Sequence, residues 1–247
     1  MTDKKLLYEK VKWVEGENFI TIEDASGLTE HEFEMLASGL AQEQEERQIK
    51  SLSILLSPTQ SERVVKILEN YHFTLHDERV IFRNDLQEGC EGAGEYLLSS
   101  LLDISESEFM AVWQQSMTGS SNASSSLNMK EQMASVKKEL GPGYEKTCLV
   151  AYERGEAIGV VMPHIEPGTK EEGRIFYFGL VPEARGSGKS VPLYKQGLKL
   201  LKEQFHATYS IGATSVNNQP MIQVFRKSGC YERERVRVYK KERNSMS

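Results

Sequence analysis

The chain has 247 residues, 39% hydrophobic and 27% charged, with a formal net charge of −6 at neutral pH. That length and apolar share suffice for one sizeable core or two smaller ones. The acidic balance argues against a general nucleic-acid binder, which carries a basic excess, and no apolar run approaches the roughly 20 residues of a membrane helix. The first ten residues lack the apolar segment of a signal peptide. Cys90, Cys148 and Cys230 are odd in number and scattered, without metal-ligand spacing. The expectation is a cytoplasmic α/β protein, monomer or homodimer, with no metal, nucleic-acid or membrane partner.

Taken in order, Phe19–Ile22 reads as a strand, followed by a turn at Ser26-Gly27 and a helix over about 29–49. Thr29 and Glu32 stand at capping-box spacing, and Phe33, Leu36 and Leu40 share one helical face. A strand at Leu52–Leu56, a helix over about 59–70 and a strand through Val80-Ile81-Phe82 complete this half. The polar, glycine-rich segment 84–94 is a plausible linker, which suggests modules at 1–88 and 95–247.

The second half opens with a strand between Tyr96 and Leu102, then a helix whose Ser105 and Glu108 again have capping-box spacing. Residues 118–126 form a short Ser-rich, low-complexity loop. A helix over about 127–140 stops at Gly141-Pro142-Gly143. Two strands, Cys148–Tyr152 and Ala157–Met162, flank a turn at Arg154-Gly155-Glu156. After a charged turn at 166–173 comes the apolar run Phe176-Tyr177-Phe178-Gly179-Leu180-Val181, then Pro182-Glu183-Ala184-Arg185-Gly186-Ser187-Gly188-Lys189-Ser190, and then a helical pattern through Leu193, Leu198, Leu200 and Leu201. Laying Phe19 on Phe176 repeats the order strand, turn, helix, strand, helix, strand. The match lies in pattern rather than identity. Opposite the glycine-rich turn, the first half carries Leu28-Thr29-Glu30-His31-Glu32, whose acids would repel an anion.

Strand, glycine-rich turn and helix aim the free N–H groups of a helix start at one point, an anion site. Gly186 and Gly188 let a phosphate approach the backbone, and Arg185 and Lys189 add positive charge. Gly188-Lys189-Ser190 looks like the end of a P-loop, but Glu183 stands where the first P-loop glycine belongs. A closer resemblance is to the GNAT superfamily of N-acetyltransferases. Arg185-Gly186-Ser187-Gly188-Lys189-Ser190 resembles its Arg/Gln-x-x-Gly-x-Gly/Ala signature, with Ser in the last place. Asn218 to Cys230 resembles the family's last helix.

The resemblance implies a GNAT-like mixed central sheet flanked by helices at 95–247, with a smaller, degenerate GNAT-like module before it. It implies acetyl-CoA as co-substrate, held by Leu180, Val181, Arg185, Gly186, Ser187, Gly188, Lys189, Ser190, Asn218 and Phe225. It also implies direct attack of an amine on the thioester, with a strand N–H near Leu180 or Val181 facing the acyl oxygen. Gly179 would suit the bulge that splays this strand from its neighbour. The general acid in relatives is a tyrosine at the position of Phe225, which has no proton to give. Tyr177, Tyr194 and Tyr231 are candidate replacements, with Tyr177 on the strand face of Gly179; His164 is the candidate base. A non-catalytic acyl-CoA-binding module and a P-loop hydrolase are the alternative readings.

Overall fold

The computed structural model describes residues 6–16, 18–86, 96–121 and 127–243. Most of the candidate linker and residues 122–126 of the Ser-rich loop lie outside them. Two compact units emerge, Met1–Arg79 with Arg235–Ser247, and Val80–Glu234. The final segment thus groups with the N-terminal half, whereas the sequence pattern assigns it to the C-terminal module.

In the first unit, strands β1 (Lys12–Glu15), β2 (Phe19–Asp24) and β3 (Ser51–Leu56) are joined by helix α1 (Glu30–Arg47) between β2 and β3. β1 pairs antiparallel with β2, and β2 runs parallel to β3. Helix α2 (Glu62–Asn70) leads into β4 (Thr74–Asn84), and the last strand β10 (Tyr231–Glu242) pairs antiparallel with β3, Arg237 opposite Leu56 and Glu242 opposite Ser51. Ile20 and Ile22 on alternate positions of β2, Leu52 and Ile54 on β3, and the α1 stripe Phe33, Leu36 and Leu40 are all buried in one core. The periods of 2 and 3.6 in the sequence therefore point to a common interior.

The second unit contains β5 (Leu97–Ser100), α3 (Glu106–Met117), α4 (Met129–Leu140), β6 (Leu149–Glu153), β7 (Glu156–Ile165), β8 (Glu172–Leu180), α5 (Ser190–Glu203), β9 (Tyr209–Ser215) and α6 (Gln219–Lys227). Its strand order is β4-β9-β8-β7-β6-β5, with β8 and β9 parallel and β5 to β8 successively antiparallel. Helices α3 and α5 pack against β7 and β8. Ser105 caps α3, accepting from the Glu108 N–H at 3.2 Å, but the Glu108 carboxylate accepts from the Tyr152 hydroxyl at 2.7 Å.

Strand β8 is irregular along both edges. Val161 pairs with Phe178 but Pro163 with Ile175, so β8 carries an extra residue there, a bulge that reverses side-chain alternation. Ile175 and Phe178 consequently both turn toward α5, against Gly197 and Tyr194, while Tyr177 turns toward Trp113 of α3 with ring centroids 5.7 Å apart. On the other edge, the β8–β9 ladder is confined to Glu172–Arg174 although both strands continue. The strands part beyond it. The expected splay therefore begins after Arg174, well before Gly179, which stays paired with Val160.

The order β2-α1-β3-α2-β4 recurs as β8-α5-β9-α6-β10. At the offset that lays Phe19 on Phe176, α2 falls on α6 end to end and β4 starts where β10 starts.

Candidate active site

Where β8 and β9 part, a cavity of about 440 Å³ opens. The end of β8 (Tyr177 to Leu180), the glycine-rich turn (Arg185, Gly186, Ser190) and the start of α6 (Asn218, Pro220, Met221, Val224) line it, with Ser116 and Gly119 to Ser121 at the end of α3. Size and lining suit a small-molecule site.

The turn is built for close approach. Gly186 and Gly188 have φ of +70° and +78°, the left-handed region that glycine enters without strain. A Cβ at either would meet nothing within 4 Å, so the space before this backbone is open. Helix α5 starts from Lys189 with no side chain capping it. The start of α1, at the matching place in the first unit, is closed. There Thr29 accepts from the Glu32 N–H at 3.3 Å, and the Glu32 carboxylate accepts from the Thr29 N–H at 2.9 Å. A protein carboxylate occupies one helix start, and no side chain caps the other.

Arg185, which lines the cavity, and Lys189 are both engaged by protein acceptors. Arg185 donates through Nε to the Leu180 carbonyl at 3.1 Å and through Nη2 to the Ser116 carbonyl at 3.0 Å, tying the turn to α3. Lys189 pairs with Glu153 at 2.7 Å. The Ser187 hydroxyl donates to the Ala184 carbonyl at 2.7 Å, bracing the turn. The Val181 N–H, expected as a possible donor to an acyl oxygen, is taken by the Ile158 carbonyl at 3.0 Å. Backbone alternation then turns the Leu180 N–H away from β7, toward the gap where Arg185 meets the Leu180 carbonyl.

Tyr177 lines the cavity and donates its hydroxyl proton to the Ser116 carbonyl at 3.0 Å. Burial pushes its pKa up to about 12. Gly179 makes this arrangement possible, since a Cβ there would lie 3.0 Å from Tyr177 Oη and 3.2 Å from Ser116 Cβ. Asn218 accepts from the Met221 N–H at 3.2 Å, capping α6 at the cavity wall.

His164 is not among the lining residues; it sits opposite Arg174, five residues before Gly179 on β8, or roughly 17 Å along the strand. It is buried beside Glu166, with Nε2 3.7 Å from Oε2. Phe225 also lies outside the lining, stacked on Phe82 with centroids 4.8 Å apart and edge-on to Tyr194 at 5.4 Å. Of the other tyrosines, Tyr194 is buried in that aromatic cluster, where burial raises its pKa well above 10, and the half-exposed Tyr231 donates to Asp85 at 3.2 Å. Neither lines the cavity. Sequence reasoning misses Ser116, the polar member of the otherwise apolar stripe Phe109, Val112, Trp113 and Ser116. A hydrophilic residue on a core-facing helical stripe is the signal that could have found it.

Residues 99–230 match the Acetyltransferase (GNAT) family. An N-alpha-acetyltransferase of Sulfurisphaera tokodaii is 28% identical over 105 residues, covering 39% of this chain and 63% of that relative's length. Among solved structures, a GCN5-related N-acetyltransferase from Sphaerobacter thermophilus aligns with a TM-score of 0.63 at 11% identity, over 94% of this chain and 76% of that one. A functionally unknown conserved protein from Staphylococcus epidermidis gives 0.62 at 12% identity, over 92% and 85%. A tandem GNAT protein from the clavulanic acid biosynthesis pathway gives 0.57 at 11% identity, over 93% and 77%. These structural likenesses concern the fold.

Proposed function

Since this chain belongs to the GNAT acetyltransferase family, we propose that its second unit is an acyl-CoA-dependent N-acyltransferase, using acetyl-CoA to acetylate an amine. The observation that carries the reading is the uncapped start of α5, with Gly186 and Gly188 in left-handed backbone, opening beside the cavity. The backbone N–H groups of Gly186 to Ser190 would hold the pyrophosphate. Arg185 keeps the turn and the end of α3 in place, and Lys189, with Glu153 beside it, adds only partly offset positive charge. Acetyl-CoA supplies an activated thioester. The Leu180 N–H faces the acyl oxygen and stabilises the charge that develops there, an effect worth about 3–4 kcal/mol where such donors have been removed elsewhere. The amine attacks directly, and the thiolate leaves without a tyrosine at position 225.

The first unit is proposed to be a degenerate copy of the same module. Its helix start is already filled by Glu32, so it would not bind the coenzyme. No helix among the described residues is long and apolar enough to cross a membrane, and a cytoplasmic location is part of this proposal.

Phe225, with no hydroxyl and packed away from the cavity, favours a second reading in which the unit binds acyl-CoA without turnover. Calorimetric titration with acetyl-CoA beside magnesium-ATP, followed by an amine screen read by thiol release, separates the two. Acetyl-CoA binding with amine-dependent thiol release is expected. Binding without release supports the second reading, and preference for ATP overturns both.

A further inference from the structure

Lys189 stands at the start of α5, and its ammonium is held at 2.7 Å by Glu153, the last residue of β6. A third group shares the spot. Tyr96, just before β5, exchanges two hydrogen bonds between its backbone and the Gln196 side chain of α5, at 3.3 and 2.9 Å. Burial first, and then the Glu153 charge, hold the Tyr96 phenol above its usual 10, against the pull of Lys189. Acid, base and phenol thus form one cluster at the helix start.

The pairing is unusual for that place. A helix start favours anions and disfavours cations, and a nearby acid is ordinarily drawn to its free N–H groups, as Glu32 is at α1. Glu153 takes the Lys189 ammonium and leaves the start of α5 uncapped. The two side chains are 38% and 24% exposed, and an ion pair with that exposure is weak and readily exchanged.

We propose that Glu153 competes with the acyl coenzyme for Lys189, holding the ammonium in the free protein and yielding it to a phosphate oxygen on binding. The inference rests on the acyl-CoA reading of this site. In the bound state Lys189 gives the phosphate a charge-assisted hydrogen bond. Glu153 is then left unpaired, one lysine side chain from a multiply charged anion and within reach of its repulsion. Re-forming the pair offsets part of the loss of the coenzyme, so Glu153 loosens the complex. Arg185 has no such rival, because both its acceptors are uncharged carbonyls.

Calorimetric titration of the full chain with acetyl-CoA tests this in the wild type, Glu153→Gln, Lys189→Met and the double variant. Two salt conditions are needed, about 0.1 M and 1 M NaCl, where the Debye length is about 10 and 3 Å. At the lower salt Glu153→Gln should bind at least about threefold more tightly, the scale of one charge at this separation. That gain should vanish at the higher salt. Lys189→Met should bind more weakly, and in its background Glu153→Gln should gain less than about twofold, because the acid has no ammonium to withhold. The Tm without ligand should move by only a few degrees, as expected for a partly exposed pair. Unchanged or weaker affinity in Glu153→Gln, a gain that persists at 1 M NaCl, or an equal gain in the Lys189→Met background would overturn the inference and leave the acyl-CoA reading standing. Wild-type protein that binds no acetyl-CoA at either salt would overturn both.

Discussion

Gly188 can be tested on two counts at once, because a side chain there has room but the wrong backbone. Its φ of +78° costs a non-glycine residue about 1–2 kcal/mol, yet a Cβ would meet nothing within 4 Å. Gly188→Glu should therefore fold. Its carboxylate would also stand at the start of α5 much as Glu32 stands at the start of α1. Acetyl-CoA affinity is expected to fall at least about 100-fold in calorimetry, in keeping with like-charge repulsion in a phosphate site, while Tm changes by only a few degrees. Retained affinity would show that the anion binds elsewhere.

At this scale the glycine turn is legible because Gly186 and Gly188 take a positive φ that glycine alone enters without strain. Phe225 is not. The face its ring chooses depends on Gly212, where a Cβ would lie 2.6 Å from that ring, a contact that no local pattern encodes. The same holds for the Val181 N–H, whose partner Ile158 depends on strand register rather than on the motif.

Among elements, the two matched helix starts differ most. α1 closes itself with a Thr29–Glu32 box, and Glu32 also meets Lys10. The Lys10 contact first, and the Thr29 backbone and hydroxyl next, hold the Glu32 carboxyl down at about 2 from its usual 4.5. A depressed carboxylate pKa contributes stability that is present above the unfolded value and lost as pH falls toward the folded one. Thermal stability of the protein should therefore weaken between about pH 4.5 and 2, and Glu32→Gln should remove part of that dependence. An identical acid limb in the variant would refute the assignment. The box was readable from a three-residue spacing, since capping is local. The bulge in β8 was not, because an extra residue shows only against its partner strand.

For the whole molecule, the segment after Glu234 belongs with the first unit, where it supplies the strand paired with β3 from Ser51 to Leu56. A chain ending at Glu234 exposes that edge of β3. It is expected to lose cooperative unfolding of the first unit, seen in calorimetry as a missing or broadened transition. An unchanged transition would show that the segment is dispensable. The duplicated order of elements was legible, because the hydrophobic periods survive when identity does not. The return of the last strand to the first unit was not, since pairing at such long sequence range leaves no period to read.

Under the proposed function, the uncapped start of α5 would also join folding to metabolism. A ligand that binds only the folded chain adds about 2.7 kcal/mol of stability at a hundredfold excess over its Kd. The helix that lacks a cap of its own would receive it from the acyl donor, so the folded lifetime of the protein would rise and fall with the supply of its substrate.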